Sequence, residues 1–177
     1  MIPPTLRIVT GHAADGRSVV TTEGQPPVVI ENFGGNPGLF FTEVWRTSGD
    51  MPVIDNAADP AGGVMTLASS GAGSTFRLVD FPASTRDPAD PAATHPGDFT
   101  SAMHRTQSVD YGILLSGQLR LVLTDSERIL NPGDIVIQRG TDHAWANRSA
   151  APARMAFILI AGQFAPGIAA HVAAITP

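Results

Sequence analysis

MHRTQSVDYGILLSGQLRLVLTDSERILNPGDIVIQRGTDHAWAN, residues Met103 to Asn147, carries two histidine-bearing segments about forty residues apart. Side chains at i and i+2 of a strand point to the same face. His104, Thr106 and Asp110 therefore look into one interior, provided that a short turn near Gln107 and Ser108 keeps the parity. His143, Trp145 and Asn147 repeat the spacing, so two strands each offer one inward histidine. Between them, Tyr111 to Ser116 reads as a buried strand, and Leu119, Leu121 and Leu123 alternate with Arg120 and Val122. Asp125-Ser126 suits a hairpin tip, and Asn131-Pro132-Gly133-Asp134 is a turn whose proline and glycine preset its dihedrals. Ile135-Val136-Ile137 is a short strand for a two-sided core.

These residues resemble the two sequence motifs of the cupin superfamily. Gly97, His104, Asp110 and Gly117 are similar to the first motif, G-x(5)-H-x-H-x(3,4)-E-x(6)-G. Pro132-Gly133-Asp134, Gly140, His143 and Asn147 are similar to the second. Thr106 stands where the family has its second histidine, Asp110 where it has glutamate, and Gln138-Arg139 replace the proline-bearing approach to Gly140. The resemblance covers mainly residues 97 to 161 and implies an all-β fold, a double-stranded β-helix or jelly-roll barrel holding one metal ion. It also implies a homodimer, with an N-terminal sheet arm that in this family often crosses to a neighbouring subunit.

The site implied by the resemblance is His104, Asp110 and His143, with Thr106 reaching the metal through a water. Neutral imidazole and carboxylate suit iron, manganese, zinc or nickel, and three protein ligands leave positions open for water or substrate. Each residue also has an ordinary reading: a hydrogen-bonded barrel histidine, or an aspartate accepting backbone N–H groups at a strand start. Trp145, Asn147, Arg77 and Trp45 are the candidate pocket residues. Arg77 either clamps a carboxylate or enolate oxygen with its forked donors or pairs on the surface with Asp80 or Glu43.

Composition bounds the alternatives. A chain of 177 residues with 43% hydrophobic content suits one domain with one core. A formal charge of −5 with scattered Lys and Arg argues against nucleic acid as a partner. No cysteine is present, which excludes disulfide and thiolate chemistry. No stretch approaches a membrane span and MIPPTLRIVT lacks a basic, apolar leader, so a cytoplasmic protein without a membrane partner is expected.

The 18 glycines and 15 prolines among short apolar runs favour many short strands. We expect an arm over about 1–48, barrel core over about 64–161 and a tail over 162–177. Strands are expected at Leu6–Thr10, Ser18–Thr22, Val28–Glu31, Phe40–Arg46, Val64–Leu67 and Thr75–Phe81. Val28–Glu31 is expected to pair within the arm, and Phe41, Glu43 and Trp45 to share one face. FGGNPG, residues 33–38, is a loop by composition. Residues 82–97 form a long loop at the barrel mouth, in which His95 is either a substitute ligand or base or a solvated histidine. In the tail, Ile168, Val172 and Ile175 recur at helical spacing, with His171 facing solvent.

Three functions are consistent with this reading. The first is a metal-dependent enzyme acting on a small organic metabolite, by lyase or isomerase Lewis-acid chemistry or by iron-dependent oxygenation, with Asp110, His104 and His143 catalytic. The second is a non-catalytic barrel that binds a small ligand. The third is a metal-free acid/base enzyme.

Overall fold

The computed structural model describes residues 3–66, 71–85 and 98–172. The described residues are all-β apart from two short 3-10 turns and one short helix. An arm hairpin, β1 (Arg7–His12) and β2 (Ser18–Gly24), precedes β3 (Val28–Ile30), β4 (Phe40–Ser48) and β5 (Gly73–Phe81). Then follow β6 (Phe99–Thr100), β7 (Ser108–Ser116), β8 (Leu119–Val122), β9 (Glu127–Leu130) and β10 (Ile135–Arg139). β11 (Ala144–Asn147), β12 (Ala153–Ala161) and helix α1 (Pro166–Val172) are the last described elements. Residues 64–66 form no strand, and Val64 is exposed, which corrects the expectation at Val64–Leu67 over its described part.

A six-stranded sheet ordered β10-β7-β12-β5-β4-β3 faces a four-stranded sheet ordered β6-β11-β8-β9, giving the two antiparallel layers of a jelly roll. β3 pairs with β4 rather than with the arm, so it extends the barrel sheet. The core lies between the layers. The larger sheet contributes Val79, Phe81, Leu114, Met155, Phe157 and Leu159, and the smaller one contributes Leu119, Leu121, Leu130 and Trp145. Each such side chain stabilises the fold by about 1.5–3 kcal/mol through removal of apolar surface from water.

β4 departs from simple alternation. A bulge between Glu43 and Trp45 sets Glu43 opposite Arg77 on the inward side and Trp45 opposite Phe76 on the outward side. The expected common face of Phe41, Glu43 and Trp45 therefore breaks after Glu43.

Gly112 and Gly117 are among the glycines that contact requires. At Gly112 a Cβ would lie 2.6 Å from the Met155 methyl and 3.2 Å from the Phe157 ring, so glycine leaves room for both core side chains. Gly117 has φ +77°, and a Cβ there would lie 2.5 Å from the Pro152 carbonyl oxygen and 2.7 Å from Ala153 Cα. Backbone cannot move aside as a flexible side-chain end can. Gly117→Ala is expected to destabilise the protein by more than about 2 kcal/mol in urea unfolding, combining left-handed strain with this collision. A loss below about 0.5 kcal/mol would show that the turn can relax.

Candidate functional site

His104 and His143 are held together by backbone. Each donates its N–H to the other's carbonyl at 2.9 Å, forming an isolated antiparallel bridge just ahead of β11. A bridge of this kind puts both side chains on one face, and the ring centroids lie 4.3 Å apart at 50°. Each Nδ1 lies beside the carbonyl two residues earlier, Ala102 at 2.9 Å for His104 and Thr141 at 3.0 Å for His143. A carbonyl can only accept, so Nδ1 carries the proton in both rings and Nε2 keeps its lone pair. Burial lowers the His143 pKa to about 4, which keeps this ring neutral at ordinary pH.

Asp110 enters from β7 across the same cavity. The Thr106 hydroxyl donates to Asp110 Oδ2 at 3.2 Å, whereas Oδ1 is buried and makes no hydrogen bond of good geometry. Burial raises the Asp110 pKa. The Ser108 and Thr106 hydroxyls and the charge of Arg77 act in the opposite sense without cancelling it. Both hydroxyls therefore favour the charged form even though Ser108 Oγ forms no well-aligned bond.

Arg77 lines this cavity but is neither a surface residue nor paired with Asp80. Its Nε lies 2.9 Å from Glu43 Oε1, its Nη2 donates to the Thr66 carbonyl at 2.6 Å, and its guanidinium sits 5.9 Å from the centroid of the Phe41 ring. Glu43 is fully buried and also takes Arg46 Nε at 2.8 Å. Asp80 is held instead by Arg154. Burial lowers the Arg77 pKa, and Glu43 opposes that shift.

The cavity measures about 300 Å³. Its polar side is His104, Thr106, Asp110, His143 and Arg77, and most of the remaining wall is apolar. Trp145 belongs to that wall, edge-on to both His143 and Phe157. Trp45 does not, because the β4 bulge sends it outward to a separate surface depression beside Arg46 and Pro60. Asn147 is not a wall residue either. Its amide donates to the Pro82 and Ala151 carbonyls at 2.9 Å and its oxygen accepts from Ser149, so it ties a loop to the barrel. His95 and Gly97 lie outside the described residues.

The alternation within β4 and β5 did not single out Phe33, Leu39, Phe41, Phe81 and Phe99 as cavity wall. Phe41 shares the inward face with Glu43, a pattern visible in the sequence. Phe33 arrives through the 3-10 turn Phe33–Gly35, which bonds across the loop close: Phe33 N–H to the Leu39 carbonyl, and Gly38 N–H to Asn32 Oδ1.

Among the described residues, no three His, Cys, Asp or Glu side chains close into a ready-made metal cluster. The donor chemistry nevertheless fits one divalent transition ion. Two preorganised imidazole Nε2 atoms share a cavity with a carboxylate whose Oδ1 makes no well-aligned hydrogen bond, and carbonyl-held Nδ1–H groups are the usual outer support of metal-binding imidazoles.

The family model of the Cupin domain, Cupin_2, matches residues 92–160. Phomopsin biosynthesis cluster protein C' of Diaporthe leptostromiformis is 35% identical, with 87% of this chain and 77% of that protein aligned. The cupin-domain-containing oxidoreductase fogC of Aspergillus ruber is 37% identical over 88% of this chain and 71% of its own length. The cupin-domain-containing oxidoreductase virC of Hypocrea virens is 28% identical over 88% and 75%.

The His143 shift has a stability consequence. Unfolded, its imidazole takes a proton below about pH 6.5; folded, it does so only near 4. The folded state thus binds fewer protons, and stability falls as pH drops through this window, by on the order of 3 kcal/mol for this group. Asp110, with its raised pKa, works in the opposite direction. The informative measurement is therefore the difference between the native chain and His143→Gln, by urea unfolding with a chelator present from pH 7 to 4. The variant is expected to show the shallower acid loss, and parallel curves would refute a neutral buried His143.

Proposed function

The chain belongs to the cupin superfamily, and from that premise we propose an enzyme of small-molecule metabolism whose centre is one divalent transition metal held by His104, His143 and Asp110. The observation that carries this reading is the bridged histidine pair, with both Nε2 lone pairs free of partners among the described residues, beside a buried Asp110 whose Oδ1 makes no well-aligned hydrogen bond. Iron bound there would supply oxygen-dependent redox chemistry, and manganese, zinc or nickel would supply Lewis-acid polarisation of a substrate oxygen. The names of the Aspergillus ruber and Hypocrea virens relatives support the oxidative alternative.

The protein's own residues do the rest. The neutral His143 imidazole presents its acceptor atom without having to lose a proton first, which lowers the cost of binding a cation. Asp110, its pKa raised by burial, either completes the ligand set or takes a substrate proton, and Thr106 orients its carboxylate. The Glu43–Arg77 pair fixes a positive group on the polar side, where charge developing on a substrate oxygen would be stabilised. The apolar wall excludes water from the reacting atoms.

Elemental analysis of protein purified without a metal-chelating tag is expected to give near one transition ion per chain, reduced to a small fraction in His104→Ala and in His143→Ala. Undiminished metal in Asp110→Ala would remove Asp110 from the ligand set. Metal that stays far below one per chain after reconstitution would overturn the metal-dependent reading and leave the imidazoles and Asp110 as an acid/base set.

We also propose that the chain forms a homodimer through the outer face of the six-stranded sheet. Residues 3–7 cross only one part of that face, where Arg154 holds the Pro3 carbonyl and Thr5 and Arg7 bonds the Val44 carbonyl. The other part leaves Tyr111, Leu115, Ile135 and Ile137 exposed, an apolar surface on paired strands β7 and β10. Light scattering is expected to return twice the chain mass, and Ile137→Glu to shift it toward one. A native monomer would contradict the dimer.

A further inference from the structure

We propose that the cavity is built for a flat, hydroxylated aromatic molecule of one or two fused rings. This inference rests on the cavity being the functional site named above, and it concerns what that site accepts. A volume of about 300 Å³ holds roughly a dozen non-hydrogen atoms.

The shape of the wall selects for flatness. Phe33 and Phe41 pack with centroids 4.3 Å apart at 33°, Phe81 meets Phe99 at 5.8 Å, and Trp145 meets Phe157 at 5.4 Å. These rings line a single cavity, so an occupant meets aromatic faces and edges on several sides. A planar π-system gains from such contacts through offset stacking and edge-to-face geometry. A globular aliphatic ligand of equal size fills the space but makes fewer of them.

The polar end selects for a hydroxyl. His104 Nε2, His143 Nε2 and Asp110 Oδ1 are all acceptors, and Asp110 is 5% exposed. A group of acceptors is complemented by a cation or by a hydrogen-bond donor. An aryl hydroxyl answers both states of the site, because it donates to these atoms when they are bare and, when they hold a cation, would bind it through oxygen with its proton passing to water. A hydrocarbon of the same outline leaves the acceptors unpaired, and buried polar groups left unpaired discriminate strongly against such a ligand.

The test uses three probes of matched size: 2-naphthol, naphthalene and 1-adamantanol. Affinities are measured by calorimetry on the full chain, both as purified and after chelator treatment. The expected result is that 2-naphthol binds at least tenfold more tightly than either comparator in both preparations. Phe33→Ala is expected to weaken 2-naphthol at least fivefold. His104→Gln is expected to narrow the gap between 2-naphthol and naphthalene. Quenching of tryptophan emission by 2-naphthol should persist in Trp45→Phe and vanish in Trp145→Phe, locating the probe. Equal affinity for 1-adamantanol would overturn the aromatic preference, and equal affinity for naphthalene would overturn the hydroxyl. Quenching retained in Trp145→Phe would place the probe elsewhere and overturn the site assignment. Because the chelated preparation is measured separately, loss of the metal reading leaves this result independently decidable.

Discussion

Two backbone hydrogen bonds, one in each direction between His104 and His143, are the constraint on which the site depends. Neither residue lies within a long strand, so side-chain packing alone would leave each free to turn. The reciprocal pair fixes two backbones at once, and the carbonyls of Ala102 and Thr141 then fix the rings. Orientation and tautomer thus come from main-chain atoms, which substitution of neighbouring side chains leaves in place. The strands on either side serve this junction: β6 and β8 flank β11 and hold Trp145 behind His143.

Around that junction the cavity combines two physically opposed environments. The inward faces of β4, β5 and β12 bring Phe41, Val79, Phe81, Phe157 and Leu159 to the site, and that apolar surround raises the pKa of Asp110 and lowers that of His143. The same surround makes Glu43 indispensable beside Arg77, because a guanidinium at 3% exposure needs a partner. The charges in this half of the barrel are therefore coupled: Arg46 and Arg77 share Glu43, and Arg77 in turn acts on Asp110.

Much of this was legible in the sequence because it rests on parity. His104, Thr106, Asp110, His143 and Trp145 reach one cavity as their even spacing anticipates, although residues 105–107 form no strand, and the turns at Gly117, Asn131–Asp134 and Gly140 stand where glycine and proline announce them. Parity failed where the chain breaks its own rhythm. The β4 bulge carries no compositional mark, so Trp45 was placed inside. Asn147 keeps the inward spacing but spends its amide on the Pro82 and Ala151 carbonyls, a long-range demand that no local pattern encodes. Phe33 sits in a glycine-rich stretch whose composition signals only a loop, while its burial against Phe41 depends on tertiary closure.

The bulge in β4 acts as a change of sides within one strand. Before it, the strand lends Phe41 and Glu43 to the chemistry; after it, Trp45 and Thr47 belong to the outer surface. A single added residue thus lets one strand serve two masters, so the interior and the exterior of this sheet can be altered separately. Flattening the bulge with every residue kept would turn Trp45 inward, bringing an indole to the face that carries the buried Arg77.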